Sequence, residues 1–421
     1  MSFARPKPSA KESLAQPKPL AKASLAQPKP LAKASLAQPK PLAKASLAQP
    51  KPLAKESLAQ PKPLAKASLP QPKPLAKASL AQPKPLAKAS VVILNYNGAA
   101  LLQQFLPLVV QHSGTTSIFI VDNASTDDSL EFVERNFTAV RIIRLDKNYG
   151  YAGGYNRALR EIQSEYYILL NSDIEVTTGW LDPMVRILDE EVSVAALQPK
   201  ILSYREKNKF EHAGAAGGFI DSLGYPFCRG RIFDYVEFDK GQYNDECEIF
   251  WASGACLVIR SQAFHQFNGF DEDYFAHMEE IDLCWKLHRA NMRVVYCPSS
   301  TIYHVGAGTM AYGSPRKIFL NFRNGLLMIF KHLSTTELFY KIPIRLCLDW
   351  VAFIKYFLSG ELKNSAAILR AHGAFLSNIP RELRKRNELL SAYPTYQKKG
   401  IMRPGSIVFD YYIRRKKTFD Q

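Results

Sequence analysis

The chain has 421 residues and a formal net charge of +17, but 17 of its 55 Lys and Arg and only two of its 38 Asp and Glu lie in residues 1–90. The rest of the chain is nearly neutral, which argues against a nucleic-acid-binding domain, because such a domain would carry a basic face of its own. Its six cysteines show no Cys-x-x-Cys spacing, which argues against a zinc ribbon or a disulfide framework and favours a reducing compartment.

Residues 1–90 repeat an eleven-residue unit, Ala-Lys-Ala-Ser-Leu-Ala-Gln-Pro-Lys-Pro-Leu. The paired prolines of each unit interrupt a helix, and a segment whose single aromatic residue is Phe3 cannot build a core. We predict a disordered tail over 1–90, extended and partly polyproline II. The start of the chain has no apolar run of the signal-peptide type. We therefore expect a cytoplasmic protein, with peripheral attachment to the cytosolic face of the inner membrane as a further hypothesis.

From residue 91 to 200, short apolar strands alternate with helices. The predicted strands are 91–94, 118–121, 140–145 and 166–170. One helix is predicted from about Ala99, a second from the capping pattern Ser125-x-x-Asp128, and a third after the glycine-containing segment 148–156. This alternation predicts βαβ units and an α/β fold, with a mostly parallel central sheet covered by helices on both faces.

Polar residues follow two of these strands directly. Asp122 ends one strand, and Asn171, Ser172 and Asp173 follow another, at the strand ends where open α/β sheets bind ligands. Asp122 can accept a hydrogen bond from a pyrimidine base or bind a ribose, or it can cap the next helix. Asp173 is the best metal candidate, because Mg²⁺ and Mn²⁺ take few carboxylates and complete their shell with diphosphate oxygens and water. The alternative is an ordinary turn sequence.

From residue 200 to 310 the pattern becomes mixed, with hairpins and one acidic helix start. Glu279, Glu280 and Asp282 lie in the first turn of that helix, where interaction with the helix dipole, worth about 0.3–1 kcal/mol each, already explains them. Their mutual repulsion can also raise one pKa toward the value that suits a general base. His304 lies on the last strand of this region, and a lone histidine is more often structural than a ligand.

Residues 315–380 are predicted to be helical. Within 342–358, Arg345, Asp349 and Lys355 fall in one narrow arc, and almost every other residue is apolar. Such a broad apolar surface lies either against the domain or in a membrane interface. Basic clusters further along the chain favour the membrane slightly.

Seven segments, in this order along the chain, resemble a family 2 glycosyltransferase with the GT-A fold, of the bacterial rhamnosyltransferase-like branch. The segments are 91–98, 121–127, 148–156, 170–173, 253–255, 279–285 and 304–308. The resemblance implies a Rossmann-like GT-A domain over 91–335 and a helical extension over 336–421, which is the candidate for membrane contact.

The resemblance also implies roles for individual residues. Asp122 would read the nucleobase. The other residues of the nucleotide-sugar site would be Asn95, Asn97, Asn148, Gly150 and Ser172. Asp173 would bind Mn²⁺ or Mg²⁺ together with His304, because Asn171 stands where the fuller motif of the family has aspartate. The implied catalytic acids are Glu280 as general base and, beside it, Asp282 and Glu279.

The implied reaction is a single displacement with inversion at the anomeric carbon. The expected partners are a nucleoside-diphosphate sugar, with dTDP-rhamnose favoured, and a saccharide or lipid-linked acceptor, and no nucleic acid. A sugar-nucleotide nucleotidyltransferase is one alternative, although the segment after the first strand, 95–98, lacks the basic glycine-rich loop that such an enzyme needs. A catalytically inactive nucleotide-sugar binding protein is the other.

Overall fold

The computed structural model describes residues 86–306, 313–394 and 400–420. The predicted tail up to residue 85 lies outside the described residues, as do Ala307 and Gly308 of the last resemblance segment.

The strands, in chain order, are β1 (Ala87–Asn95), β2 (Ser117–Asp122), β3 (Arg141–Arg144), β4 (Ser164–Leu170), β5 (Ile174–Val176), β6 (Val194–Ser203), β7 (Gly218–Asp221), β8 (Pro226–Cys228), β9 (Arg231–Ile232), β10 (Tyr235–Val236), β11 (Cys247–Glu248), β12 (Cys256–Arg260), β13 (Arg293–His304) and β14 (Met402–Arg403). The helices are α1 (Ala99–His112), α2 (Ser129–Asn136), α3 (Gly150–Ala158), α4 (Asp182–Glu190), α5 (Ser261–Gln266), α6 (Glu279–Arg289), α7 (Pro315–His332), α8 (Thr335–Leu358), α9 (Leu362–Ala392) and α10 (Ile407–Tyr412).

The first strand begins earlier than the sequence predicts. Residues 87–90, which we assigned to the disordered tail, belong to β1. Lys88 forms ion pairs with Glu165 at 3.0 Å and Asp189 at 2.6 Å, and the hydroxyls of Ser90 and Ser164 lie 2.5 Å apart in the interior. The tail prediction is therefore wrong for these four residues, because the last repeat unit supplies side chains that pair with the sheet.

The central sheet runs in the order β11-β13-β6-β12-β4-β1-β2-β3, and β5 pairs with β13. Strands β3, β2, β1 and β4 are parallel to one another, as are β6 and β13, whereas β12, β11 and β5 pair antiparallel with their neighbours. The prediction of a mostly parallel α/β sheet is confirmed.

Alternate side chains of each central strand enter two different cores. On β1, Val92 packs with α3 and α6 in one core, and Val91 and Ile93 pack with α1 and α4 in the other. Side chains that alternate across a pleated strand point to opposite faces, so helices cover both faces and the sheet is buried between them.

The strand register brings polar strand ends together. Asn95 at the end of β1 pairs with Asp122 at the end of β2. Leu170, the last residue of β4, pairs with Ile93. The carboxyl ends of these parallel strands therefore share one edge of the sheet, which is where the predicted site residues follow.

A second, smaller sheet has the order β10-β9-β8-β7-β14 among the described residues. Its last strand comes from the far end of the chain and pairs parallel with β7, which the sequence does not predict. The Asp221 carboxylate accepts hydrogen bonds from the backbone N–H of Ile407, at 2.9 Å, and of Leu223 and Tyr225, so a buried carboxylate ties α10 to this sheet.

Helix α7 lies within the predicted domain over 91–335, and α8 and α9 make up most of the predicted helical extension. A capping box in which Ser334 and Glu337 exchange hydrogen bonds begins α8, close to the domain boundary expected at 335. None of the helices in the described part of the chain combines the length and the hydropathy needed to cross a bilayer.

Candidate active site

The loops after β1 and β2 are bound to each other at the carboxyl edge of the sheet. The Asn95 side chain donates to the hydroxyls of Ser129, at 2.9 Å, and Ser125, at 3.1 Å. The backbone N–H of Asn97 donates to the same Ser125 hydroxyl at 3.0 Å. Helix α2 starts at Ser129 after Asp128, so the prediction that Ser125 caps this helix is wrong. Ser125 instead joins the two loops that would hold a nucleotide.

Asp122 is buried at this edge, with 4% of its surface exposed. Its carboxylate accepts the backbone N–H of Ser125 at 3.2 and 3.3 Å, so it orders the turn that follows β2. Asn97 adopts a left-handed backbone conformation with φ 51°, and its side-chain oxygen accepts the N–H of Thr126 at 2.7 Å. These contacts give the edge a fixed shape before any ligand arrives.

Ser172 lies beside the buried Asn95 side chain. A Cβ atom added to Gly98 would lie 2.4 Å from the Asn95 side-chain oxygen and 3.8 Å from the Ser172 hydroxyl. Glycine is therefore required at 98 by close approach, and two of the predicted nucleotide-sugar residues, Asn95 and Ser172, lie around it. The Asn95 oxygen is buried and accepts no hydrogen bond from any residue that the structure describes.

Asn148 and Gly150 serve contacts within the chain. The Asn148 side-chain oxygen accepts from the Asn123 amide at 3.1 Å and from the Gly150 N–H at 2.8 Å. Gly150 has φ +72°, and a Cβ there would lie 2.6 Å from the carbonyl oxygen of Phe275. That carbonyl accepts the N–H of Tyr151 at 2.9 Å. The start of α3 is thus bound by the loop before α6, which connects the predicted nucleotide side to the predicted catalytic side.

Asp173 and His304 form a buried pair. Their relative exposures are 3% and 6%, and Nε2 of His304 lies 3.2 Å from Oδ1 of Asp173. Nδ1 of His304 lies 3.0 Å from Oε2 of Glu211. Burial opposes protonation of His304, but the two carboxylates outweigh it and raise its pKa to about 10. Glu211 was not predicted, since nothing in its sequence position connects it with a strand end almost a hundred residues away.

Once Nε2 of His304 gives up its proton, the donor set of this pair fits a divalent cation such as Mn²⁺. Two ligands of one octahedral ion with bonds of about 2.1 Å lie about 3 Å apart, close to the separation of Asp173 and His304. A carboxylate on the second ring nitrogen is the usual partner of a metal-bound histidine, and Glu211 has that position. Among the described residues, no group of three or more His, Cys, Asp or Glu is arranged to hold a metal ion. A cation here would take its remaining ligands from substrate and water.

Glu279 and Glu280 open α6 at the same edge. The backbone of Gly254 hydrogen-bonds to Glu280, and its neighbour Ala255 accepts the N–H of Asn171 at 3.0 Å. Burial raises the pKa of Glu280 above the usual carboxyl value, only partly offset by backbone hydrogen bonds. Burial and the charge of Glu280 raise the pKa of Glu279 well above its usual range. A partly buried carboxyl with a raised pKa is suited to accept a proton.

Comparisons with known proteins identify the family to which part of the chain belongs. The model of glycosyl transferase family 2 matches residues 90–267. Residues 90–267 form a family 2 glycosyltransferase domain. An N-acetylglucosaminyl-diphospho-decaprenol L-rhamnosyltransferase of Mycobacterium tuberculosis is 26% identical over 319 residues, 71% of this chain and 97% of that protein. The rhamnosyltransferase WbbL of Escherichia coli is 34% identical over 165 residues, 37% of this chain and 61% of that protein.

Solved structures also align with this glycosyltransferase. GalNAc-T7 with UDP, GalNAc and Mn²⁺ aligns at 15% identity with a TM-score of 0.46, covering 58% of this chain and 48% of that chain. Over residues 90–267 the chain therefore belongs to family 2, and the relatives that it resembles include rhamnosyltransferases.

Asp282 of the glycosyltransferase lies apart from the other predicted site residues. It is fully buried, and Oδ1 accepts from Tyr274, at 3.0 Å, and Lys331, at 3.1 Å, and lies 2.9 Å from Nε2 of His332. Residues two apart on a helix point to different sides, so Asp282 points away from Glu280. Its contacts fix α6 to α7, which is a structural role.

The loop before α6 has a strained backbone, and a side chain of α7 hydrogen-bonds to it. Phe275, His277 and Met278 have φ values of 64°, 70° and 76°, and such left-handed conformations cost non-glycine residues about 1–3 kcal/mol each. The fully buried Asn324 side chain donates to the carbonyls of Tyr274, Ala276 and His277 at 3.1, 3.0 and 2.7 Å.

The orientation of the Asn324 amide is fixed in turn. Its oxygen accepts from Arg323 at 2.8 Å, and a second nitrogen of Arg323 donates to the carbonyls of Asp273, at 2.9 Å, and Tyr274, at 3.1 Å. Arg323 and Asn324 therefore hold the loop that leads into Glu279 and whose Phe275 carbonyl binds α3. The signal that could have found this pair is an Arg-Asn dipeptide shortly before the apolar run 326–330 of α7.

Proposed function

We propose that this chain is an inverting, metal-dependent glycosyltransferase that moves a sugar from a nucleoside-diphosphate donor to a saccharide or lipid-linked saccharide acceptor. The donor we favour is dTDP-rhamnose. The observation that carries the proposal is the sharing of one sheet edge by Asp122, the Asp173–His304 pair and the loop that binds Glu280. The name of the mycobacterial relative, an L-rhamnosyltransferase acting on a decaprenol-linked sugar, favours this donor and acceptor.

The donor would be held at the ends of β1 and β2. Asp122, buried and already oriented by the turn N–H of Ser125, would accept from the nucleobase. The unpartnered oxygen of Asn95 offers a second acceptor in the same pocket. Asn97, Asn148, Gly150 and Ser172 would shape its walls through the contacts described above.

Asp173 and His304 would bind a divalent cation, Mn²⁺ or Mg²⁺. When bound, the cation supplies positive charge against the diphosphate that departs. Glu211 would keep the His304 ring turned so that Nε2 faces the cation, because it holds the opposite ring nitrogen at 3.0 Å.

Glu280 would take the proton from the acceptor hydroxyl. As that oxygen forms its bond to the anomeric carbon, the bond from this carbon to the diphosphate breaks on the opposite side, which inverts the configuration. Burial raises the pKa of Glu280, which makes it a stronger base than an exposed carboxylate. Glu279, whose pKa is raised further, would stay protonated and leave Glu280 as the ionised member of this pair.

A lipid-linked acceptor would require access to a bilayer, so peripheral association with a membrane, on its cytosolic face, is part of the same proposal. The test is incubation of the full chain with Mn²⁺, a lipid-linked N-acetylglucosamine diphosphate and a panel of nucleoside-diphosphate sugars. We expect release of nucleoside diphosphate from dTDP-rhamnose and a product with inverted anomeric configuration by NMR. Release of pyrophosphate instead would indicate a nucleotidyltransferase, and no release from any donor would contradict transfer.

A further inference from the structure

Helix α8 has the reverse of the usual polarity of a surface helix. Its charged residues Lys341, Arg345 and Asp349, spaced one turn apart, are 4%, 4% and 1% exposed. Helices of water-soluble surfaces normally turn such residues to solvent and their apolar face to the core. The charged side of α8 therefore faces the rest of the protein.

The inward charges have specific partners. Arg345 donates to the carbonyl of Leu223 at 2.9 Å, and its guanidinium lies 3.7 Å from the ring centre of Tyr225. Asp349 lies 3.1 Å from Nε2 of His372 on α9. Buried charges are retained when they are paired in this way, so the orientation of α8 is fixed by its polar side.

The outward side of α8 is apolar. Ile344, Val351 and Leu358, seven residues apart and hence on one face, are 43%, 64% and 79% exposed. Trp350 and Ile354 beside them are 47% and 51% exposed. A contiguous apolar surface of this kind marks an interaction site when it stands on a folded chain.

Helix α9 carries an exposed apolar row of its own. Its four leucines at seven-residue spacing are all exposed, by 58%, 43%, 61% and 46%. They are Leu362, Leu369, Leu376 and Leu383. We call the exposed apolar residues of α8 and α9 together the outer helical face.

Basic residues border the outer helical face. Between residues 339 and 384, the exposed basic side chains are Lys355, Lys363, Arg370 and Arg384, and the exposed acid among these described residues is Glu361. Cations beside an apolar face that includes an exposed tryptophan are the pattern of a helix lying in the headgroup region of an anionic bilayer.

We propose that the outer helical face is the surface through which the chain lies on an anionic lipid bilayer. The inference rests on the proposed function, because a lipid-linked acceptor is what would require a transferase to reach a membrane. A second copy of the chain is the less favourable occupant. In a two-fold contact the same patch meets itself, so the basic borders of the two copies would face each other.

The test uses the full chain, wild type and the triple variant Ile344→Glu/Val351→Glu/Leu358→Glu, and vesicles of phosphatidylcholine with or without phosphatidylglycerol. We expect wild type to bind the mixed vesicles and the triple variant to bind about 100-fold more weakly. The matched control is Val192→Glu, at an apolar residue 85% exposed on the loop before β6, and it should bind like wild type. Circular dichroism checks that each variant is folded.

Tryptophan fluorescence identifies the surface directly. Of the four tryptophans, Trp180, Trp251 and Trp285 are 5% exposed or less, whereas Trp350 is 47% exposed. Brominated lipids in the mixed vesicles should therefore quench Trp350 emission, and Trp350→Phe should remove the quenching while binding persists. Vesicle binding without quenching would overturn the proposal, because the contact would then lie elsewhere.

Two further outcomes would also overturn it. If the triple variant binds as wild type and salt abolishes both, the basic tail carries the binding. If the wild-type chain does not bind vesicles but sediments as a dimer, and the triple variant sediments as a monomer, then the outer helical face binds a second copy of the chain. Sugar transfer to a water-soluble acceptor is measured in parallel without vesicles. If the wild-type chain binds vesicles but transfers no sugar, the result contradicts the proposed function and leaves the membrane surface standing.

Discussion

Removal of the Asn324 side chain tests whether α7 positions the predicted general base. In Asn324→Ala, the two amide hydrogens that three loop carbonyls share are lost, at about 1 kcal/mol for each hydrogen bond. The buried carbonyls left without a donor add about 1–3 kcal/mol. We expect the free energy of unfolding to fall by about 3–5 kcal/mol in urea titrations.

The larger effect should be on transfer. Phe275, His277 and Met278 store backbone strain that the loop can release once Asn324 no longer holds it. The first turn of α6 would then shift, and a displacement of about 1 Å at a reacting group costs about 100-fold in rate. We expect kcat to fall by about that factor, measured as nucleoside diphosphate release, while nucleoside diphosphate affinity stays unchanged in calorimetry.

The control is Asn364→Ala in α9, where a buried asparagine donates to Glu361 at 2.5 Å far along the chain from the loop. It should lose stability without losing transfer. If Asn324→Ala is folded and transfers at the wild-type rate, the loop does not depend on α7 and the reasoning is wrong.

Other changes test the same site and its support. Glu280→Gln should abolish transfer with an unchanged melting temperature, and transfer at the wild-type rate would refute its role as base. Burial raises the pKa of Glu280 above 4.5, and the base must be ionised to accept a proton. We therefore expect kcat/KM to fall as the pH drops through that raised pKa. A pH profile in which kcat/KM falls only at or below the ordinary carboxyl pKa would contradict this. Asp173→Ala should weaken Mn²⁺ binding in the presence of nucleoside diphosphate at least about tenfold by calorimetry, and equal binding would exclude Asp173 as a ligand. The ammonium of Lys331 lies 2.5 Å from the carboxylate of Asp271 and 3.1 Å from that of Asp282. Lys331→Met leaves both carboxylates buried without this cation, so the free energy of unfolding in urea titrations should fall by about 3–5 kcal/mol. A fall of less than about 1 kcal/mol would mean that the ion-pair network rearranges.

Much of the sheet could be predicted because its strands are short apolar runs between turn residues. Apolar residues at positions such as Val91 and Ile168 are buried whichever face they point to, so the pattern alone indicates a central strand. Polar residues at the ends of such strands must then meet at one edge. Asp122 ends β2 and Asp173 follows β4, the two strands on either side of β1. The bounds of β1 were missed because Lys88 and Ser90 look like tail residues until their partners on other strands are known.

The rest of the site depends on contacts between distant segments. Glu211 and His304, or Asn324 and the 274–277 carbonyls, are joined only by the folded chain, and no spacing rule connects them. The cluster of acids at the start of α6 predicts a catalytic role for Asp282. In the structure Asp282 is buried beside Lys331 and His332, and its contacts join α6 to α7. The sequence places Arg345, Asp349 and Lys355 in one arc of α8 but does not tell which side of the helix meets the protein. In the structure Arg345 and Asp349 are buried, whereas Lys355 is exposed.

The join between the repeats and β1 has a consequence for how this gene can change. The strand takes Ala87, Lys88, Ala89 and Ser90 from the last unit. Five of the seven earlier units carry the same four residues at the same place in the eleven-residue period, and the other two have Glu12 or Glu56 at the third place. Gain or loss of a whole unit would therefore recreate an identical junction. The number of repeat units can therefore change while the folded domain keeps the same first strand.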